Sequence, residues 1–180
     1  MKLKYGFETE NKVILFIGRL IEEKQPLKMI EIFSQLYQMD SSYRLLMVGT
    51  GPLMDKVKEK VKNANLVDVV TQIEKIPNSD IWELYRLADC FVNLNQQEIF
   101  GMAILEAMYY GCKVIAWHAP GPDFIIDDGV SGYLIGNDKE ACERILDSAD
   151  IEKAAKMHIL NQFTWKKSAE RIYAAASAER

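Results

Sequence analysis

The sequence predicts an α/β fold in which helices flank a parallel sheet. Three features carry that prediction. Short apolar runs recur along the chain, longer amphipathic stretches separate them, and the runs are continuous, as in strands buried on both faces. The first run, Lys12-Val13-Ile14-Leu15-Phe16-Ile17-Gly18, is too short and too β-branched for a helix. Over Pro26–Met39 the residues Leu27, Ile30, Ile32, Phe33, Leu36 and Tyr37 recur at helical spacing, and Pro26 suits a first turn. Tyr43–Val48 reads as a second strand ended by Gly49-Thr50-Gly51-Pro52, residues 53–62 as a charged surface helix, and residues 67–73 as a third strand. Asn78 or Ser79 is expected to cap a short helix through Leu87. Residues 90–94, Lys113–Trp117 and Tyr133–Ile135 complete the strands, and residues 100–110 form a helix. Two or three helices run from Asp138 to the end, with Thr164 as an N-cap.

A chain of 180 residues, 49% apolar and 27% charged, has the composition of one soluble domain that needs no metal or disulfide staple. Its 22 basic against 26 acidic residues leave a net charge of −4, so nothing draws the whole chain to nucleic acid, and any anion site is local. Cys90, Cys112 and Cys142 follow no disulfide framework and are expected as free thiols of a cytoplasmic protein, the first two as core residues. His118 and His158 belong to no metal motif, and no metal is expected. No apolar run reaches the ~18 residues of a membrane span. The start, Met1-Lys2-Leu3-Lys4-Tyr5-Gly6, lacks the apolar core of a signal peptide.

In open parallel sheets ligands bind beyond the carboxyl ends of the strands, so the residues after each strand matter most. After the first strand come Gly18 and Arg19, then Glu22, Glu23 and Lys24. A guanidinium fork, a mobile ammonium and a nearby helix N-terminus would hold a diphosphate. Taken alone, this loop reads better as solvated charge, with Arg19 and Lys24 pairing with Glu22 and Glu23. Gly49-Thr50-Gly51 is neither a dinucleotide fingerprint nor a P-loop, and by itself reads as a turn. The informative stretch is Glu98-Ile-Phe-Gly101-Met-Ala-Ile-Leu-Glu106-Ala-Met. Gly101 stands where the amides of Gly101, Met102 and Ala103 are unpaired at a helix start, an anion site with a carboxylate before it and another along the helix. The bland alternative makes Glu106 a surface residue and Glu98 a carboxylate near a helix start.

The stretch from Glu98 through Phe100, Gly101 and Glu106 to Gly111 resembles the E-x7-E signature of retaining GT-B glycosyltransferases, group 1 (family 4), in their donor-binding C-terminal half. Gly18-Arg19 with Lys24, Val48-Gly49-Thr50-Gly51-Pro52, Leu87-Ala88-Asp89, Asp128-Gly129-Val130-Ser131-Gly132 and Phe163-Thr164-Trp165 resemble its other blocks in order. The resemblance covers roughly residues 11–175 and implies a Rossmann-like, nucleotide-sugar-binding half of a GT-B fold, a single domain over 1–180 with a terminal helix near 164–178. It implies transfer of a hexose from a UDP-, GDP- or ADP-sugar, with retention and without a cofactor or obligatory metal. Arg19, Lys24 and Glu98 match the catalytic set. Gly18, Glu98, Phe100, Gly101, Met102, Ala103 and Glu106 match the donor-binding set, with Glu98 at the sugar, Glu106 at the ribose and the amides of Gly101 to Ala103 as the phosphate cradle. The loop from Glu74 to Pro77 matches the base-gripping segment.

The same resemblance implies a partner. An N-terminal lobe binds the acceptor in this family, so the chain alone is expected to bind donor and transfer little. Polysaccharide biosynthesis, and contact with the inner membrane face through that other lobe, are family-level expectations. Ile172 and Tyr173 are expected to expose an apolar face that favours self-association. Leu94-Asn95 stands where the family has Pro-Ser, Lys113 where it has proline, Gln25 where glycine is frequent, and Phe124 where glutamate is common. A lobe of a sugar-nucleotide epimerase and a non-catalytic nucleotide-binding module are the competing readings. A phosphoacceptor receiver domain would need acidic residues where Gly18-Arg19 stands.

Overall fold

The strands β1 (Lys12–Ile17), β2 (Tyr43–Val48), β3 (Val70–Ile73), β4 (Cys90–Asn93), β5 (Lys113–Trp117) and β6 (Tyr133–Ile135) form one parallel sheet in the order β3-β2-β1-β4-β5-β6. This is the Rossmann-like, doubly wound order, and its winding reverses between β1 and β4. The structure, a computed structural model, describes residues 1–178, with the side chains of 171, 172 and 175–178 outside the description.

The helices are α1 (Pro26–Met39), α2 (Met54–Asn63), α3 (Ile81–Leu87), α4 (Met102–Tyr109), α5 (Pro120–Ile125), α6 (Asp138–Leu146), α7 (Glu152–Gln162) and α8 (Trp165–Ala178). Two cores form because successive side chains of a strand point to opposite faces. Ile14 and Phe16 of β1 join Ile30 and Phe33 of α1, Val57 of α2 and Ile145 of α6. Val13 and Leu15 join Leu84 of α3, Ile104 of α4, Ile125 of α5 and Ala155 of α7. Burial on both faces is why the strand sequences carry no polar alternation. Cys90, Cys112 and Cys142 are free and buried, the first two as expected, and Cys142 joins them in the core.

Several boundaries differ from the sequence reading. The third strand starts at Val70, because the amides of Val69 and Val70 both turn back to the Leu66 carbonyl, at 3.1 and 3.0 Å. Neither Asn78 nor Ser79 caps α3. Residues Asn78–Asp80 form a 3-10 turn, and no side-chain cap bond precedes Ile81. The fourth strand stops at Asn93, whose side-chain oxygen takes the amide of Asn95 at 2.9 Å and bends the chain. The helix expected from residue 100 begins at Met102, after a Gly101 with φ 91°. The sequence reading missed α5, although Pro120 offers a start signal: Gly121 and Pro122 read as a loop. Thr164 does cap α8, its hydroxyl accepting from the Lys167 amide at 3.2 Å. Tyr173 is exposed, while the Ile172 side chain lies outside the described residues.

Lys113 has a structural task where the family pattern has proline. Its ammonium donates to the carbonyls of Ile145 and Asp147, at 3.0 and 2.7 Å, at the C-terminal end of α6. The Tyr43 hydroxyl donates to the same Ile145 carbonyl at 3.1 Å. A cation at this end complements the helix dipole and satisfies carbonyls with no partner in the helix. Lys113→Met is therefore expected to lower stability by about 1–2 kcal/mol, read as a shift in the urea midpoint with an unchanged slope.

Candidate functional site

The winding reversal leaves a crevice beyond β1 and β4, and two loops meet there. After β1 the chain runs through Gly18 and Arg19 into a 3-10 turn, Glu22–Lys24. Gln25 then adopts φ 57°, a left-handed conformation that L-residues reach at a cost, and Pro26 opens α1. A glycine, with no Cβ, would adopt this conformation at less cost. Lys24 packs over Gly18: a Cβ on Gly18 would lie 3.7 Å from Lys24 Cγ. Its ammonium meets Glu98 Oε2 at 2.6 Å, across 74 residues of sequence. Lys24 thus pairs with the signature carboxylate and not with Glu22 or Glu23. Arg19 is exposed and makes no ion pair among the described residues.

Glu98 is held by its own loop as well. The side-chain amides of Asn95 and Asn93 donate to Oε2 at 3.2 and 3.4 Å. Burial works against the charge of Glu98, but Lys24, Asn93 and Asn95 outweigh it and keep the carboxyl below the ordinary glutamate value. All of these bonds reach Oε2, and among the described residues Oε1 accepts none. Asn95 also takes the Gln97 amide on its own oxygen at 3.0 Å. Asn95 thus accepts through its side-chain oxygen and donates to Glu98 through its nitrogen.

The loop is pinned from the other side by Gly121 of α5, whose amide donates to the Glu98 carbonyl at 2.8 Å. A Cβ there would meet Phe100 backbone atoms at 2.6–2.7 Å. At the start of α4 the carbonyl of Gly101 accepts from Ile104 and Leu105, at 2.9 and 3.2 Å. Among the described residues no acceptor meets the amides of Gly101, Met102 and Ala103. These donors and the helix dipole make an anion cradle next to Glu98. The side chains of Phe100 and Met102 face elsewhere. They line an apolar groove with Tyr109, Phe163 and Trp165, so what this segment offers an anion is backbone.

Glu106 is exposed on the second turn of α4 and accepts from the buried Tyr85 hydroxyl at 2.9 Å. It lines a hollow of about 420 Å³ with Tyr85, Trp82, Ile81 and Tyr110. A second hollow, about 410 Å³, lies over the ends of β1, β2 and β3, lined by Gly18, Arg19, Thr50, Glu74, Ile76 and again Ile81. Arg19 and Glu106 therefore line two hollows that share Ile81 as a lining residue. The loops that floor the second hollow are interlocked: Leu20 donates to Thr50 and Leu53 donates to Leu20, both at 3.0 Å. His118 lies beside Asp123, at 2.8 Å, and His158 donates to the Ile125 carbonyl at 2.9 Å. Among the described residues no group of three or more His, Cys, Asp or Glu stands together as metal ligands.

The sequence pattern of the family described as glycosyl transferases group 1 matches residues 1–172. The chain belongs to that family. This group 1 chain is 25% identical over 170 residues to the alpha-monoglucosyldiacylglycerol synthase of Streptococcus pneumoniae, covering 94% of the chain but 38% of that protein. The chain thus spans well under half the length of this curated relative. It superposes on S. aureus TarM, crystallised with UDP, fondaparinux and alpha-GlcNAc-glycerol, with a TM-score of 0.84 and 23% identity over 93% of the chain and 36% of TarM. It superposes on the C-terminal domain of a glycosyl transferase group 1 family protein, LpcC, from Francisella tularensis, with a TM-score of 0.78 and 23% identity over 92% of the chain and 99% of that domain. These likenesses establish the fold.

Tyr85, Asn93 and Gly121 escaped the sequence reading. Tyr85 sits in an apolar helical pattern, and Gly121 in a Gly-Pro stretch that carries no site signal. The signal for Asn93 was present: two asparagines flank a leucine at a strand end, just ahead of a signature glutamate.

Proposed function

We propose that this chain is the donor-binding half of a retaining GT-B glycosyltransferase of family 4, taking a UDP-, GDP- or ADP-sugar. The observation that carries this reading is the meeting of Lys24 with Glu98 at 2.6 Å beside the open N-terminus of α4, across 74 residues of sequence. In this reading Lys24, Arg19 and the amides of Gly101 to Ala103 hold the diphosphate and stabilise the charge that develops as the sugar leaves. The free Oε1 of Glu98 accepts from hydroxyls of the donor sugar. Glu106 accepts from the ribose, and the base occupies the hollow between Thr50 and Ile76. The UDP bound to TarM and the sugar-transfer names of the relatives support this reading.

A second lobe of similar size, in cis or in trans, would supply the acceptor site, and the chain by itself would transfer little or nothing. The relatives' greater length supports this view. Assembly of cell-surface glycans or glycolipids on the cytoplasmic face of the membrane is the setting proposed. No helix among the described residues is long and apolar enough to cross a membrane. Isothermal titration with UDP-, GDP- and ADP-sugars tests donor binding. One class is expected to bind, with Arg19→Ala and Glu106→Ala each weakening it roughly tenfold or more. A folded chain that binds none of the three overturns the proposal.

A further inference from the structure

Tyr85 lies on α3, outside every segment that the signature motifs cover. It is 1% exposed, yet its hydroxyl is directed at a carboxylate on the surface of a different helix. The ring is fixed on two sides. Phe91 of β4 meets it edge-on at 5.8 Å, and Tyr110, just past α4, stacks on it at 6.1 Å with the planes 8° apart. A phenol clamped in this way has little torsional freedom, so its hydroxyl is aimed by packing.

Glu106 has the opposite character. It stands on an exposed stretch of helix, where a glutamate has several rotamers of similar energy. Among the described residues the Tyr85 hydroxyl is the one hydrogen-bond partner of its carboxylate, and it engages Oε2 only. We propose that Tyr85 is a positioning residue that selects the Glu106 rotamer and leaves Oε1 turned into the hollow for a ribose hydroxyl. This rests on the reading of Glu106 as the ribose acceptor. Burial first, and the neighbouring Glu106 charge second, push the phenol's pKa far up, so it remains a donor at any pH the protein meets. The bond to Oε2 restricts the rotation of the carboxylate and leaves Oε1 with no partner among the described residues.

The test is ribose discrimination. UDP, GDP and ADP are titrated into the chain beside their 2′-deoxy and 3′-deoxy analogues. The unaltered chain is expected to prefer the ribonucleotide of its class by roughly tenfold, the effect of one hydrogen bond to a charged acceptor. Tyr85→Phe keeps the ring packing and is expected to reduce that preference to roughly threefold or less, while the deoxynucleotides bind as before. In a Glu106→Ala background the Tyr85 change is expected to add nothing further.

An unaltered chain without ribose preference overturns the ribose role of Glu106, and this inference with it. A preference that survives Tyr85→Phe, or a loss equal for ribo- and deoxynucleotides, overturns the positioning role alone. Should Tyr85→Phe not fold, the structure of the unaltered chain with its nucleotide decides. Glu106 holding Tyr85 through one oxygen and the ribose through the other supports the inference, and a carboxylate that has left Tyr85 overturns it.

Discussion

Lys24→Ala is expected to weaken binding of a nucleoside-diphosphate sugar by roughly 10–100-fold, the loss of one charge-assisted contact to phosphate. Two effects act in the same direction. The ammonium no longer meets the diphosphate, and Glu98, stripped of its 2.6 Å partner, is left as an unbalanced negative charge next to the phosphate cradle. The second effect also makes the substitution visible without ligand. In the native chain the Glu98 carboxyl lies below its ordinary value near 4.5, so the group adds stability above that pH and loses it as pH falls through the depressed value. Without Lys24 the strongest support of the charge is gone while burial still opposes it, so the carboxyl rises and the stability it adds above that pH shrinks. The stability difference between the two proteins should therefore be small at acid pH and grow to about 1–2 kcal/mol at neutrality. Urea unfolding across that range measures it. A difference independent of pH would mean that the ion pair does not hold Glu98 charged.

Gly49→Ala is expected to have the largest effect on stability. Gly49 has φ +144°, and a Cβ there would stand 1.9 Å from the Gly18 carbonyl oxygen. The obstacle is backbone, and no rotamer change relieves it. Its amide is also fixed, donating to the Ile73 carbonyl at 2.8 Å at the end of β3. Gly51 repeats the constraint, with a Cβ position 2.6 Å from the Leu20 carbonyl oxygen. Overpacking and an unfavourable backbone conformation together cost about 3 kcal/mol, which lowers the melting temperature of a domain this size by roughly 6–12 °C. Nucleotide binding should fall as well, since the displaced Gly18 carbonyl carries Arg19 with it. A melting temperature within about 2 °C of the native value would show that the two loops can part without loss.

The Gly-Thr-Gly segment shows where residue patterns stop being informative. Read along the chain, it is a turn. In the folded molecule it lets the loop after β2 lie directly on the loop after β1, which sets the floor of the crevice. The same holds for Lys24. Its nearest acidic residues in sequence are Glu22 and Glu23, and the local reading favours them. The 3-10 turn and the left-handed Gln25 swing the ammonium inward instead, to a glutamate on the far side of the winding reversal.

The sequence by itself determined the α/β class, the positions of all six strands to within a few residues, and the signature residues Glu98, Gly101 and Glu106. Continuous β-branched runs and helical apolar spacing are local properties, legible wherever burial is two-sided. Only the tertiary structure decided which charges meet. It brought Lys24 to Glu98 rather than to its neighbours, set Tyr85 under Glu106, and used Gly121 to hold the signature loop. Those pairings depend on strand order and on where winding reverses, and hydrophobic periodicity carries neither. The short helix after β5 belongs with them, since its glycine and prolines read as a turn until the backbone of Phe100 packs against Gly121.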